Sequence, residues 1–487
     1  MIKSKFFYPV LLSFFLLPLL WVDINTFHNW GDDFAQYLCN ARQMIRGGDL
    51  KMYHNQAVAP LHRGAGFSLL LGVWMTFFDL QLPAYFVLMS FCLIFCAFVL
   101  FRFFQKYLPF ESNHLTVLTM VLLFVYNRHV LFLKTEILPV FLIIALSYAC
   151  LLLYKNVSIK FNPIAVLCLG FLLSLANVAW SIYFALFFFH LYLIWKQIEK
   201  FVWQKSALQF ATPLIVFIGI KFLVFKTFFT DEVSWYAPVF NWHGLTALIK
   251  QNLVFYKDIF FVTFDHDIWF GFNKGIKFSL LCLMFAGLIG KWRKAFAAED
   301  LFFIFYFLLL LVYPDHGGGI RLLLPLLPMF FLYAAHACFQ IINGLRLNSS
   351  IAVLFFLPLF LAQVQTLPAN ISQNAQMYEG PNSAPATACF QFIHDSTEKN
   401  AAVAFVKPWA LMLYAKRSVM PFPNTQSLPD LKSLMLSNHV PYVLFDTQSK
   451  LPEMQNAQAY HDMASDTAFK CVYQKQGYAI FRLVSGL

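Results

Sequence analysis

The stretch HNWGDDFAQYLCNARQMIRGG, His28–Gly48, follows the first apolar run of a chain of 487 residues. Two adjacent carboxylates, Asp32 and Asp33, open it. From Asp33 onward Phe34, Tyr37, Leu38, Ala41, Met44 and Ile45 recur at helical spacing. The pattern predicts a helix begun by an acid, because an Asp carboxylate accepts from the backbone N–H groups that a helix start leaves unpaired. Capping requires only one acid of the two. The expected geometry is an amphipathic helix lying on a membrane, with the carboxylates at its tip.

Composition supplies the membrane. The chain is 60% hydrophobic and 12% charged, with a mean hydropathy of +0.64. Soluble domains are about a quarter charged, so these values predict an α-helical polytopic membrane protein. The net charge of +11 does not imply nucleic acid. In a membrane protein Lys and Arg collect in cytoplasmic loops and beside headgroups, which makes membrane lipids the expected neighbours. The nine cysteines show no metal-finger spacing and read as small core hydrophobes.

Apolar runs fall at about 6–22, 83–101, 115–127, 137–154, 163–176, 178–195, 207–225, 276–290, 301–313, 322–340 and 351–366, which predicts about 11 transmembrane helices. The first reads as an uncleaved signal anchor with its N-terminus in the cytoplasm. Alternate crossing then places Arg102 and Lys106, Lys155 and Lys160, Lys196, Lys200 and Lys205, and Lys291, Arg293 and Lys294 on that same side. The weakest joint is SLANVAWS, Ser174–Ser181, the only break between two runs. One apolar run stands apart: GAGFSLLLGVWMTFF, 64–78, is short for a span. If it crossed, every later basic loop would change sides. It is expected to be an interfacial or re-entrant helix on the outer face.

The same threading puts the segments 23–82, 128–136 and 227–275 outside, together with everything after 366. Residues 1–366 form the transmembrane domain. The tail, 367–487, alternates strand-like runs (AAVAFV, YVLFD, FKCVYQ, YAIFRL) with helix-like ones (ACFQFIHDS, PDLKSLMLSN). It reads as a small α/β extracytoplasmic domain. Cys389 and Cys471 both lie in it, either as a disulfide or as two half-buried thiols.

The acidic pair now has a setting on the outer face, directly after the first span. An acidic pair, a Tyr and an Ala-Arg in a helix ending in Gly (Asp32, Asp33, Tyr37, Ala41, Arg42 and Gly47) resembles the GT-C glycosyltransferases. Nearest in kind are the protein O-mannosyltransferases and the lipid A aminoarabinose transferase. Further parts follow in order. APLHRGAGFSLLLG resembles a Pro-rich stretch entering a horizontal helix, with His62-Arg63 where the family has Pro-Pro or Pro-Gly. LKTEILPVFLIIAL resembles the acidic mouth of a span, here Glu136. HGGGIRLLLPLLP resembles an Arg-aromatic-Leu-Leu-Pro motif, with Arg321 kept and Leu322 replacing the aromatic. VAFVKPWALMLYAKR in the tail is similar to the extracytoplasmic domain of some bacterial members.

The resemblance implies transfer of a sugar from a polyprenyl-phosphate donor to an acceptor hydroxyl or phosphate, on the periplasmic face of a bacterial inner membrane. The acceptor is a glycan, lipid or protein. The lipid phosphate is the leaving group, and fixed cations would stabilise its growing charge. Arg321 is the first candidate, since a guanidinium binds phosphate bidentately. Gly317-Gly318-Gly319 and His316 lie beside it in sequence, and it is expected at the outer mouth of its span. Arg63 or Arg42 would assist it. The acceptor must lose a proton, for which a carboxylate serves as general base. By the family pattern this is Asp32, with Asp33 secondary, and in-line displacement inverts the anomeric centre. Glu136 would orient substrate or a divalent cation with the Asp pair, or else pair with Lys134 and Arg128. Carboxylates could hold magnesium or manganese, but no zinc spacing is present. The rival readings are a polyprenyl-linked glycan polymerase or ligase, a transporter, and a non-catalytic assembly protein.

Overall fold

The acidic pair does begin a helix. Helix α1 spans Asp32–Arg46, and Gly47 beyond it has a positive φ of 64°, the left-handed conformation in which helices often end. The computed structural model describes residues 30, 32–47, 65–108, 138–155, 162–175, 179–195, 203–225, 242–263, 272–294, 296–313, 321–347, 380–422, 427–448 and 457–484. The side chains of Asp32 and Asp33 lie outside that description, as do the expected spans at 6–22, 115–127 and 351–366 and the short outer segment 128–136.

Among the described residues ten more helices precede the tail. They are α2 (Ala65–Phe78), α3 (Leu82–Tyr107), α4 (Leu138–Lys155), α5 (Pro163–Leu175), α6 (Trp180–Trp195), α7 (Trp203–Phe225), α8 (Trp242–Thr263), α9 (Phe272–Lys294), α10 (Ala298–Val312) and α11 (Leu327–Gly344). Every expected span within the described residues falls on one of them. The break at SLANVAWS separates α5 from α6. By length and composition two described helices could cross a bilayer, Leu82–Tyr107 and Leu324–Gly344, while Val140–Tyr154, Pro163–Leu175, Trp180–Leu193 and Leu208–Leu223 are apolar but shorter.

Packing follows the small residues. Helix α9 crosses α11 so closely that a Cβ on Gly287 would collide with the Tyr333 carbonyl oxygen. Helix α5 meets α7 at Gly170, where a Cβ would fall 2.6 Å from Val216. Such contacts let backbones approach and gain dispersion where lipid offers no hydrophobic drive.

The segment 227–275, expected as an outer loop, carries the 22-residue helix α8. Its run WHGLTALIKQNLVFYKD mixes polar and apolar residues and shows no long apolar stretch. Its anchor is Asn252, fully buried, whose amide nitrogen donates to the carbonyl oxygens of Leu310, Leu311 and Tyr313 at 3.2, 2.9 and 2.8 Å. These carbonyls lie in the last turn of α10 and just beyond it, where a helix end leaves acceptors to be satisfied from outside; that of Leu310 also accepts from the Tyr313 backbone N–H.

In the tail, α12 (Ala384–Ser396), α13 (Pro408–Ala415), α14 (Leu428–Ser437) and α15 (Ala457–Ser465) surround a five-stranded sheet. Its strands are β1 (Ala402–Phe405), β2 (Ser418–Pro421), β3 (Tyr442–Asp446), β4 (Phe469–Lys475) and β5 (Tyr478–Leu483), in the order β2-β1-β3-β5-β4. The first three run parallel and the last two pair antiparallel. Gln476 and Gly477, with φ of 49° and 86°, turn the β4–β5 hairpin; both angles are positive, as a tight two-residue hairpin turn requires. Alternation along the strands sorts two cores. Val403, Phe405, Leu444 and Ile480 join the core of the helical body, whereas Ala404, Val443, Phe445 and Phe481 pack under α14 and α15. Cys389 is buried and Cys471 exposed, and both are free thiols, so the disulfide alternative is not realised.

Candidate functional site

Helix α1 is held on two sides. Along one side runs α2: the Tyr37 ring stands edge-on to Phe67 at 4.9 Å, and Gly72 faces Met44 and Ile45. At the far end Arg46 pairs with Asp79 at 2.7 Å, just beyond α2. Along another side runs α13 of the tail. The Cys39 thiol lies 3.5 Å from the Trp409 carbonyl, and Arg42 Nη1 donates to the Leu413 carbonyl at 3.1 Å. Residues 39 and 42 meet 409 and 413, so the two helices run in the same direction.

Ahead of α1, Trp30 is buried edge-on between Phe390 of α12 and Phe405 of β1, at 6.2 and 6.0 Å. Phe390 in turn stacks on Tyr414 at 5.9 Å. Burial there raises the Tyr414 hydroxyl above its ordinary pKa, with Cys39 adding to the effect, so it stays protonated and neutral. Phe34, Ala35, Leu38, Cys39, Asn40 and Ala41 are all buried. The sequence predicted an amphipathic helix lying on a membrane; in the structure protein also covers the described residues of its first two turns. Periodicity reports which face is apolar; it cannot report that a segment about 370 residues away covers the other.

The expected site residues therefore fare differently. The acids head a fixed helix at the seam between the tail and the helical body. Tyr37 is buried against Phe67 and packs. Arg42 spends one donor on the tail. His62, Arg63, Lys134, Glu136 and His316 lie outside the described residues.

Arg321 lies in a second neighbourhood. It begins a tight turn, 321–322, followed by the 3₁₀ segment Leu324–Leu326. The Tyr306 hydroxyl donates to the Leu322 carbonyl at 2.7 Å, and Tyr148 donates to the Pro325 carbonyl at 2.9 Å. Tyr306 lies six residues before the end of α10 at Val312, roughly 9 Å of helix. The turn therefore lies level with the middle of α10. The described contacts also keep the two neighbourhoods apart. Phe34 meets Tyr85 in the first turn of α3, at 5.9 Å, whereas Tyr148 packs on Phe103 near the other end, at 4.7 Å. Those anchors are 18 residues apart (103 − 85), roughly 27 Å of helix.

A third polar group was not anticipated. Lys291 of α9 reaches Asp300 at 2.6 Å and Glu299 at 3.1 Å. Tyr333 donates to Asp300 at 2.8 Å, Tyr107 to Glu299 at 3.0 Å, and the Ala297 backbone N–H to Asp300 at 2.9 Å. Both carboxylates are buried. Four helices, α3, α9, α10 and α11, thus meet at one ionic cluster. The signal was the acid pair Glu299-Asp300 directly before an apolar run, just after the basic residues at 291–294. Among the described residues no group of three or more His, Cys, Asp or Glu side chains is placed to hold a metal ion.

No family model matches the chain, and no curated protein matches it.

Proposed function

We propose that the chain is a multi-pass membrane glycosyltransferase of the GT-C kind, moving a sugar from a polyprenyl-phosphate donor to an acceptor hydroxyl or phosphate on the periplasmic face. The observation that carries the reading is the clamped acidic helix. A helix whose only task was to link a span to a loop would not need the tail on one side and α2 on another. A general base does need it, because proton transfer depends on fixed distance and direction.

Support for the membrane comes from the outward faces. Phe91, Phe95 and Phe98 of α3, Phe184 and Phe188 of α6, and Ile215, Ile218 and Phe222 of α7 are all exposed. Apolar stripes of this extent are costly in water and suited to lipid. Helix α2 likewise exposes Val73 and Phe77 away from the face it turns to α1, which suits an interfacial helix.

In this reading Asp32 takes the proton of the acceptor, Asp33 is secondary, and Arg321 stabilises the leaving phosphate. The two must serve one glycosidic bond. Their anchors on α3 lie roughly 27 Å apart, more than an arginine side chain spans, so the reading requires the helices that carry the turn to shift toward the acidic helix when the donor binds.

Mass spectrometry of surface glycolipids and glycoproteins from a deletion strain and its parent tests the proposal. The deletion should lack one sugar increment on one class of acceptor, and the gene returned on a plasmid should restore it. Identical profiles in the two strains would remove the glycosyltransferase reading.

A further inference from the structure

We infer that Tyr306 and Tyr148 are positioning residues for phosphate binding, holding the turn from which Arg321 projects. The inference rests on the proposed role of Arg321 and adds the device that would make that role effective. A guanidinium on a loose turn would surrender much of its binding energy to ordering. The turn 321–326 is a broken run of 3₁₀ geometry, whose hydrogen bonding is poorer than that of an α-helix. Its own bonds run from the Leu326 N–H to the Leu323 carbonyl and from the Leu327 N–H to the Leu324 carbonyl, while the carbonyls of Leu322 and Pro325 are received from outside. Tyr306 of α10 donates to Leu322, the residue after Arg321, and Tyr148 of α4 donates to Pro325.

Both tyrosines are buried, with 1% and 0% of their surface exposed. Their rings are fixed by Phe302, which lies edge-on to Tyr148 at 6.0 Å and to Tyr306 at 5.6 Å. One phenylalanine thus braces both hydroxyls. A buried hydroxyl that finds a single carbonyl in an apolar surround is a directional constraint, because leaving either partner unpaired is costly. The two constraints come from different helices and grip the turn at positions three residues apart. Together they fix both the place and the rotation of the Arg321 backbone.

Binding of a polyprenyl monophosphate, compared with the neutral polyprenol of the same length, tests this. The full-length protein in detergent is titrated with each and read by native mass spectrometry. The parent should prefer the phosphate. Tyr306→Phe keeps the ring and removes the hydroxyl. It should weaken phosphate binding by about 3–10-fold, the worth of one hydrogen bond, and leave polyprenol binding as in the parent. Added to Arg321→Ala it should cause no further loss, because the turn then has no guanidinium to present. Tyr148→Phe should act in the same direction more weakly. A thermal transition measured alongside confirms that each variant is folded.

Parental phosphate binding by both Tyr variants would overturn the inference. So would a loss that falls equally on phosphate and polyprenol, or one that adds in full to that of Arg321→Ala. In each of these cases a parent that prefers the phosphate leaves the donor reading standing. A parent that binds phosphate and polyprenol alike overturns the donor reading, and this inference with it.

Discussion

Arg42 donates its Nη1 hydrogen to the carbonyl oxygen of Leu413, 3.1 Å away and 371 residues further along the chain. Lys416, just past the end of α13, is left-handed with a φ of 53°, so Leu413 belongs to the last turn of α13, where carbonyls lack helical partners. A cation at a helix C-terminus is favoured by the same partial charge. The bond ties the helix of the acidic pair to the tail.

Arg42→Ala should therefore loosen the tail from the helical body. A hydrogen bond to a charged group contributes about 1.5–3 kcal/mol, and the part-buried setting argues for the lower end. Limited proteolysis should degrade the tail faster in the variant than in the parent. Arg42→Lys, which keeps a donor and the charge, should restore part of the protection. Equal cleavage of parent and Arg42→Ala would mean that the bond does not hold the tail.

The cluster at Lys291 makes a sharper prediction about stability. Removing the cation leaves Glu299 and Asp300 buried without their partner, an effect of about 3–5 kcal/mol for broken buried pairs. Lys291→Met should lower the thermal transition strongly. Adding Glu299→Gln and Asp300→Asn should recover most of the loss, because neutral amides need no counter-charge. A triple variant no better than Lys291→Met would show that packing, not charge, sets the cost.

Acid should weaken the tail in a defined window. The Glu398 carboxyl is held below its usual range, first by a backbone N–H, then by the Tyr442 hydroxyl at 2.8 Å and by Arg482 at 2.9 Å. Asp466 is lowered in the same way, first by the Ala468 backbone N–H and then by Lys432. A depressed folded pKa gives stability that is fully present above the unfolded value, about 4, and is lost as pH falls through the folded value. Far-ultraviolet circular dichroism of the full chain should thus show β-structure stable at neutral pH and weakening below about pH 4. Glu398→Gln should flatten that dependence. A variant with the parental pH profile would remove Glu398 from the account.

Much of the architecture was legible in the sequence, for physical reasons that also mark where legibility stopped. Four of the five strands were visible as alternating runs. The fifth, Ser418–Pro421, is four residues long and ends in proline, too short to show a period. Helix α8 was missed because its polar residues include Asn252, which is buried only through the carbonyls at the end of α10. The acidic helix was found from its own spacing, but its surroundings were not. Trp30 on Phe390 and Arg42 on Leu413 join residues more than 300 positions apart, and local pattern carries no trace of such pairings. The level of Arg321 was hidden for the same reason, since it is set by Tyr306 and Tyr148.

The central claim is that the acidic pair is catalytic, and one substitution tests it most directly. Asp32→Asn keeps the size and the capping ability of the residue but cannot take a proton. Sugar transfer by the purified variant, with a polyprenyl-phosphate sugar as donor, should fall by about 10²–10⁴-fold, the usual loss on removing a general base. Donor binding and the thermal transition should stay parental. Asp33→Asn should cost less. A reversed order of the two variants would exchange their roles. Full transfer by both would leave the pair as a helix cap and contradict the account.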